Sequence, residues 1–157
     1  MADDAVLAYT EPAPLALVQV SRTFPAARER VFRAWTEPDA VRHWFGTRGS
    51  IIDRVEADVR PGGSYRISFK VPPTRRRVHV TGTYLEVKPP ERLVYTFGWD
   101  GMPITLGMGD SKVTVEFHEQ GGGTEVRLTH ELLDKARIRA WHRFGWHASL
   151  RRLERLL

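Results

Sequence analysis

Residues 64–99 read SYRISFKVPPTRRRVHVTGTYLEVKPPERLVYTFGW, and their alternation decides the fold. Tyr65, Ile67, Phe69 and Val71 share one face of a strand, while Arg66, Ser68 and Lys70 take the other. The next two runs repeat the period: Val80, Gly82 and Tyr84, then Leu93, Tyr95, Phe97 and Trp99. Side chains alternate across a strand, so this pattern predicts strands with one buried and one wet face. Pro72-Pro73-Thr74 and Lys88-Pro89-Pro90-Glu91 are turn-rich links between them. Links this short favour antiparallel hairpins, because a parallel crossover needs about a dozen residues.

Working outward, the same signal recurs. Six strands are predicted, at 51–59, 64–71, 78–87, 92–99, 112–119 and 124–131. Val113, Val115 and Phe117, then Val126, Leu128 and His130, continue the apolar face. Thr81, Thr83, Lys112, Thr114, Glu116, Glu125 and Arg127 join the wet one. A longer connection, 100–111, contains Met102-Pro103 and Gly107-Met108-Gly109 and is read as a flap. Arg75-Arg76-Arg77 is read as a solvated turn, and Gly121-Gly122-Gly123 as a hairpin turn.

Upstream, Leu15–Thr23 is strand-like. Pro25 suits a first helical turn and predicts a helix over 26–35. Thr36 before Glu37-Pro38 reads as the cap of a second short helix carrying Val41, Trp44 and Phe45 and ending at Gly46. Residues 1–13 are expected to be a flexible tail before a single domain over 14–157. At the other end Asp134 is the expected cap of a helix reaching Leu157. Trp146, Leu150, Leu153 and Leu157 form one stripe, extended by His142, with Ile138 near its edge. Trp141 and Phe144 fall off that stripe; they suit packing under the first two helices or a homodimer contact.

The fold class that follows is α+β: a curved antiparallel sheet around a long C-terminal helix. A helix is about 10–12 Å wide, and six strands at about 4.8 Å spacing make a sheet more than twice as broad. One helix cannot cover it flat, so a cleft between them is expected. Its predicted lining is Trp44, Tyr65, Phe69, Tyr84, Tyr95, Phe97, Trp99, Met102, Phe117, His130, His142 and Trp146. An apolar wall with a few polar handles is the usual make-up of a small-molecule site.

Composition narrows the alternatives. The chain has no cysteine, which removes disulfides, thiol nucleophiles and Cys-based zinc sites. It lacks HExxH, P-loop, GxGxxG and GxSxG signatures, and its six histidines show no metal spacing. His142 and His147 would diverge by about 140° on a helix. No metal or cofactor is expected. The net charge of +5 and pI of about 10.0 permit an anionic partner. The wet face nevertheless lacks aromatic platforms between basic residues, so nucleic acid is not the expected partner. No run is long enough for a membrane span, and the N-terminus lacks secretory signal features, so a cytoplasmic location is expected. His130 and His142 are the candidate catalytic residues, each suited to act as a base beside Tyr65, Tyr84 or Tyr95.

Several motifs carry a family resemblance. The run Pro25–Pro38, continuing through Arg42-His43-Trp44-Phe45-Gly46, resembles the opening of the family named after the activator of Hsp90 ATPase. Arg60-Pro61-Gly62-Gly63-Ser64-Tyr65-Arg66 is similar to its hairpin motif. Gly82–Val87 and Pro89–Phe97 resemble its central strands. Val113–Phe117, Gly122-Gly123-Thr124 and Leu128-Thr129-His130 resemble its late hairpin, and Gly145-Trp146 with the leucine stripe its closing helix. The ordered match covers roughly residues 17–157.

This resemblance implies membership of the START/Bet v 1-like (SRPBCC) superfamily and its helix-grip fold with a deep hydrophobic cavity. It also implies that the 15–23 strand joins the same sheet as a seventh strand, with two short helices after it. The superfamily includes lipid and hormone carriers, polyketide cyclases and aromatases, and self-sacrificing resistance proteins. Binding of a small hydrophobic or aromatic ligand is therefore the leading expectation. An enzyme of cyclase, aromatase or hydrolase type and a co-chaperone-like interaction module are the alternatives. Co-chaperones resemble this chain over one domain, and no second is read here, so chaperone activation is not the expected role.

Overall fold

A computed structural model describes residues 17–73, 75–101, 110–131, 133 and 135–157. The elements run β1 (Leu17–Phe24), α1 (Arg28–Thr36), α2 (Pro38–Trp44), β2 (Ile51–Ala57), β3 (Ser64–Val71), β4 (Arg76–Lys88), β5 (Arg92–Asp100), β6 (Ser111–Gln120), β7 (Gly123–Glu131) and α3 (Ala136–Leu156). The expected tail at 1–13, the body of the 100–111 flap and the Asp134 cap lie outside the described residues.

The seven strands form one antiparallel sheet in the order β1-β7-β6-β5-β4-β3-β2. Strands two to seven are successive hairpin neighbours, as short turns dictate. β1 closes the far edge by pairing with β7, Val18 opposite His130 and Val20 opposite Leu128. The two chain-adjacent strands β1 and β2 thus lie on opposite edges, and α1 and α2 bridge them. Register shifts at Ile52/Arg54 and Tyr84/Glu86 mark bulges, which bend a sheet. The curved sheet wraps α3, which buries Ile138, His142, Trp146, Ser149, Leu150 and Leu153. Val113, Val115, Phe117, Val126 and Leu128 form the buried floor beneath.

Three local expectations are corrected. Thr36 does not cap α2. It ends α1, its hydroxyl donating to the Phe32 carbonyl, and Glu37 takes the cap position before Pro38. Arg76 and Arg77 are not in a turn: pairing of Val71 with Arg76 and Lys70 with Arg77 extends the hairpin, so β4 starts there. Ser68 and Thr114, expected to be wet, are buried on the outer face. Both are short residues among longer neighbours. Ser68 hydrogen-bonds His79 Nδ1 at 2.7 Å, and the Arg92–Glu116 pair flanks Thr114.

Candidate functional site

Between α3 and the β3–β5 end of the sheet lies a cleft of about 490 Å³. Phe69 and Val71 from β3, Val78 from β4, and Phe97 and Trp99 from β5 supply the sheet side. Trp141, His142, Phe144, Gly145, Trp146 and Ser149 supply the helix side. Their spacing places them on the seated stripe and on the turn of surface beside it. The end wall is the segment after α2, Phe45 to Ser50, with Pro72 and Arg76 of the β3–β4 hairpin. Gly145 keeps the helix side low: a Cβ there would meet nothing within 4 Å.

Ring contacts knit the walls together. Phe45 lies 5.9 Å from Phe69 and 6.2 Å from Trp146, centroid to centroid. Trp99 lies 5.8 Å from Phe69 and 5.1 Å from Trp141. Edge-on and tilted pairs at these separations add to the burial energy.

Behind the wall sits a polar chain with its proton positions fixed by chemistry. Indole nitrogen only donates. Trp99 Nε1 donates to His142 Nε2 at 3.0 Å, so the proton of neutral His142 is on Nδ1, which donates to the Ile138 carbonyl at 2.8 Å. Trp146 Nε1 donates to His130 Nδ1 at 3.1 Å. His130 Nε2 then donates to Ser111 Oγ at 2.6 Å, and Ser111 donates to the Phe97 carbonyl at 2.8 Å. The two imidazoles meet edge to face, 4.8 Å apart. Burial, then the neighbouring His142, pushes His130 down to about 3. Burial also lowers His142, against the opposing pull of the Ile138 carbonyl. Both are held neutral, and all four ring nitrogens are engaged within the protein.

A smaller void of about 40 Å³ lies deeper, lined by Trp35, Trp44, Tyr65, Tyr84 and Tyr95, and sharing Phe45 and Phe97 with the cleft. Tyr65 donates to the Thr96 carbonyl at 2.7 Å, and Tyr95 accepts from Trp35 Nε1 at 3.2 Å. Burial raises all three phenols: Tyr84 to about 12, with Asp58 adding to the shift, and Tyr65 and Tyr95 also upward. They stay protonated at neutral pH.

The twelve residues expected in one pocket are distributed. Phe69, Phe97, Trp99, His142 and Trp146 line the cleft. Trp44, Tyr65, Tyr84 and Tyr95 line the smaller void. Phe117 packs against Phe32 and Trp35 at 5.3 and 5.8 Å. His130 is fully buried behind the cleft wall, in contact with the lining residues Phe97, His142 and Trp146. Met102 lies outside the described residues. Sequence reasoning did not assign Phe45, Arg76, Trp141, Phe144 or Ser149 to the site. The departure of Trp141 and Phe144 from the main stripe was their signal. Among the described residues no group of three or more His, Asp or Glu could hold a metal, and no helix is long and apolar enough to cross a membrane.

The fold recurs in solved structures. Protein CV1439 from Chromobacterium violaceum is 29% identical, with a TM-score of 0.80 over 90% of this chain and 96% of that one. The AHSA1 protein SPO3351 from Silicibacter pomeroyi is 25% identical, with a TM-score of 0.74 over 88% and 95%. CalU16 from Micromonospora echinospora, at 24% identity and a TM-score of 0.63 over 87% and 73%, shares the fold. None of the curated proteins matches. The family model described as activator of Hsp90 ATPase homolog 1-like protein matches residues 25–157. With its seven-stranded curved sheet around a C-terminal helix, its Bet v 1/START-like neighbours and a family match over most of its length, this chain belongs to the activator of Hsp90 ATPase homolog 1-like family.

Proposed function

We propose that the protein binds a small hydrophobic or aromatic ligand in the cleft between β3–β5 and α3. The observation that carries this reading is the wall itself: Phe45, Phe69, Phe97, Trp99 and Trp146 line an open recess of about 490 Å³, the size class of small-molecule sites. The neutral, fully engaged histidines argue for a binding role over acid–base catalysis, since neither keeps a free nitrogen for a substrate. A second reading has its own support. Phe144 and Trp141 are 68% and 42% exposed at the rim, which suits a second copy of the chain seated across the mouth.

Gly145→Leu tests the first reading. The new side chain enters the cleft from a position where a Cβ meets nothing, and leucine is the better helix former. Native mass spectrometry of protein from its host, and melting curves against a library of apolar and aromatic compounds, are the readouts. A retained small molecule or saturable stabilisation, lost in the variant, supports the ligand site. Stabilisation that the variant keeps, or none across the library, refutes it. Light scattering across a concentration series tests the dimer, which Phe144→Asp should disrupt.

A further inference from the structure

We infer that the solvent-facing stripe of α3 is a docking surface for an anionic lipid membrane, with Trp141 and Phe144 seated among the headgroups at the cleft rim. This goes beyond the ligand-site reading and does not depend on what fills the cleft.

Spacing along α3 sets the argument. Arg137, Trp141, Phe144, Ala148, Arg151 and Arg155 recur at intervals of four and three, so they share one face of the helix. That face lies opposite the stripe of His142, Trp146, Leu150 and Leu153 that is seated on the sheet. At 1.5 Å per residue it runs about 27 Å from Arg137 to Arg155. Its middle is aromatic and both its ends are cationic. Phe144 is the most exposed large hydrophobic side chain among the described residues. Trp141 leans on Trp99 and is still exposed.

The charges around these rings are of one sign. The only acid of α3, Glu154, pairs with Arg22 of β1. Arg139 and Arg152 are committed to backbone carbonyls. Arg137, Arg143, Arg151 and Arg155 are exposed and have no ion pair or hydrogen bond among the described residues. Arg48, next to the lining residue Thr47, and Arg75, in the β3–β4 turn, are exposed as well.

Unneutralised arginines around exposed aromatics fit an anionic lipid surface. Each cation near such a surface is favourable, and aromatic side chains settle at the headgroup boundary. A lipid surface needs no matching shape, which suits a convex helix face. A second copy of the chain supplies no opposite charge. Across a twofold axis the same patch meets itself, so the stripe's ends would set arginine against arginine, which is repulsive.

Cosedimentation with vesicles tests it, using phosphatidylcholine alone and phosphatidylcholine mixed equally with phosphatidylglycerol, at low and high salt. The proteins are wild type, Phe144→Ser, the pair Arg137→Gln/Arg151→Gln, and the control pair Arg54→Gln/Arg127→Gln. The control removes the same charge from the outer face of the sheet, where Arg54 pairs with Glu56 and Arg127 with Glu125. Matching circular dichroism melts establish that all four are folded. Wild type should bind the mixed vesicles at low salt, ignore phosphatidylcholine, and release at high salt. Phe144→Ser and the helix pair should each weaken binding about tenfold or more. The control pair should stay within about twofold of wild type, since its charges lie beyond the screening length from the lipid. No binding to mixed vesicles at low salt, equal binding to both vesicle types, or equal loss in the helix and control pairs overturns the inference. Retention of binding by Phe144→Ser reduces the surface to charge alone and overturns it as well. So does a dimer, seen by light scattering, that Phe144→Ser breaks and the mixed vesicles leave intact.

Discussion

Phe45 and Phe97 face each other with ring centroids 6.5 Å apart and planes inclined by 43°, and both rings line both cavities. They form the partition between the open cleft and the tyrosine-lined void. Phe45 sits at the end of α2, where the chain turns out of the helix, so it can be removed without cutting a strand. Phe45→Ala should join the two spaces. Loss of a buried phenylalanine costs about 3–5 kcal/mol, measurable by urea denaturation. The variant should accept ligands one ring longer than wild type does, read as a melting-temperature rise for the longer member of a homologous pair. A variant that loses the stability but keeps the wild-type size limit would show that the partition closes by collapse.

The histidine–tryptophan chain makes the fold acid-sensitive in a defined window. Burial and the neighbouring His142 push His130 down to about 3 in the folded protein, against the ordinary imidazole value of 6.5. Between those values the unfolded chain binds the extra proton, so stability rises with pH through the window and is level above it. The slope from this one group is up to about 1.4 kcal/mol per pH unit. His142, also lowered, acts in the same direction. Glu91, its carboxyl lowered mainly by Lys88, loses its contribution only below its ordinary value of 4.5. Melting temperatures from pH 3.5 to 8 should fall most steeply below 6.5, and His130→Gln should flatten that limb. A wild-type midpoint level from pH 7 to 4 would contradict the buried neutral pair.

The strands and their faces were legible because period-two alternation is strong where one face is buried. Val18, Val80, Leu93, Val113, Val115 and Val126 are all fully buried as the pattern demands. The helix stripe was equally plain. The division of the inner face was not legible. Alternation says that Phe117 and Phe97 point the same way, but not that α1 covers Phe117 while Phe97 is left beside a cleft. That outcome depends on where α1 and α2 cross the sheet, a tertiary fact. Arg76 was hidden for a related reason: three consecutive arginines resemble a solvated turn until strand pairing puts the middle one on the apolar face.

The end wall of the cleft is held by two side chains of α3. Ser149 Oγ accepts from the Gly46 amide at 3.0 Å and donates to the Gly46 carbonyl at 3.2 Å. Arg152 donates to the carbonyls of Phe45, Gly46 and Thr47 at 3.2, 3.4 and 3.2 Å. These include carbonyls just past α2, where a cation is favourable. Ser149→Ala leaves the Gly46 amide without its partner and should cost about 1–3 kcal/mol. Combined with Arg152→Ala the effect should be less than additive, because both restrain one segment. Hydrogen exchange should show the amides of residues 46–50 accelerating more than those of β6 and β7. Uniform acceleration would mean that the contacts support global stability and not the wall.

Two glycines should respond oppositely to one methyl group. Gly82 lies mid-strand in β4, opposite Tyr65, where β3, β4 and β5 crowd together. A Cβ at Gly82 would sit 1.9 Å from the Thr96 carbonyl oxygen and 2.7 Å from Tyr65 Cε1. The carbonyl is backbone and cannot swing aside, so the strands must separate. Tyr65, which donates to that same oxygen, must move with them. Gly82→Ala should therefore cost more than the roughly 1–3 kcal/mol of ordinary overpacking, and it should unfold part of the population at room temperature. Gly145 is mid-helix with open space where its Cβ would stand. Gly145→Ala should gain roughly 0.5–1 kcal/mol from helix propensity. Paired urea titrations decide it. If Gly82→Ala unfolds at the wild-type urea midpoint, the close approach of the Thr96 carbonyl, and with it the tight bend beside the tyrosine void, is wrong.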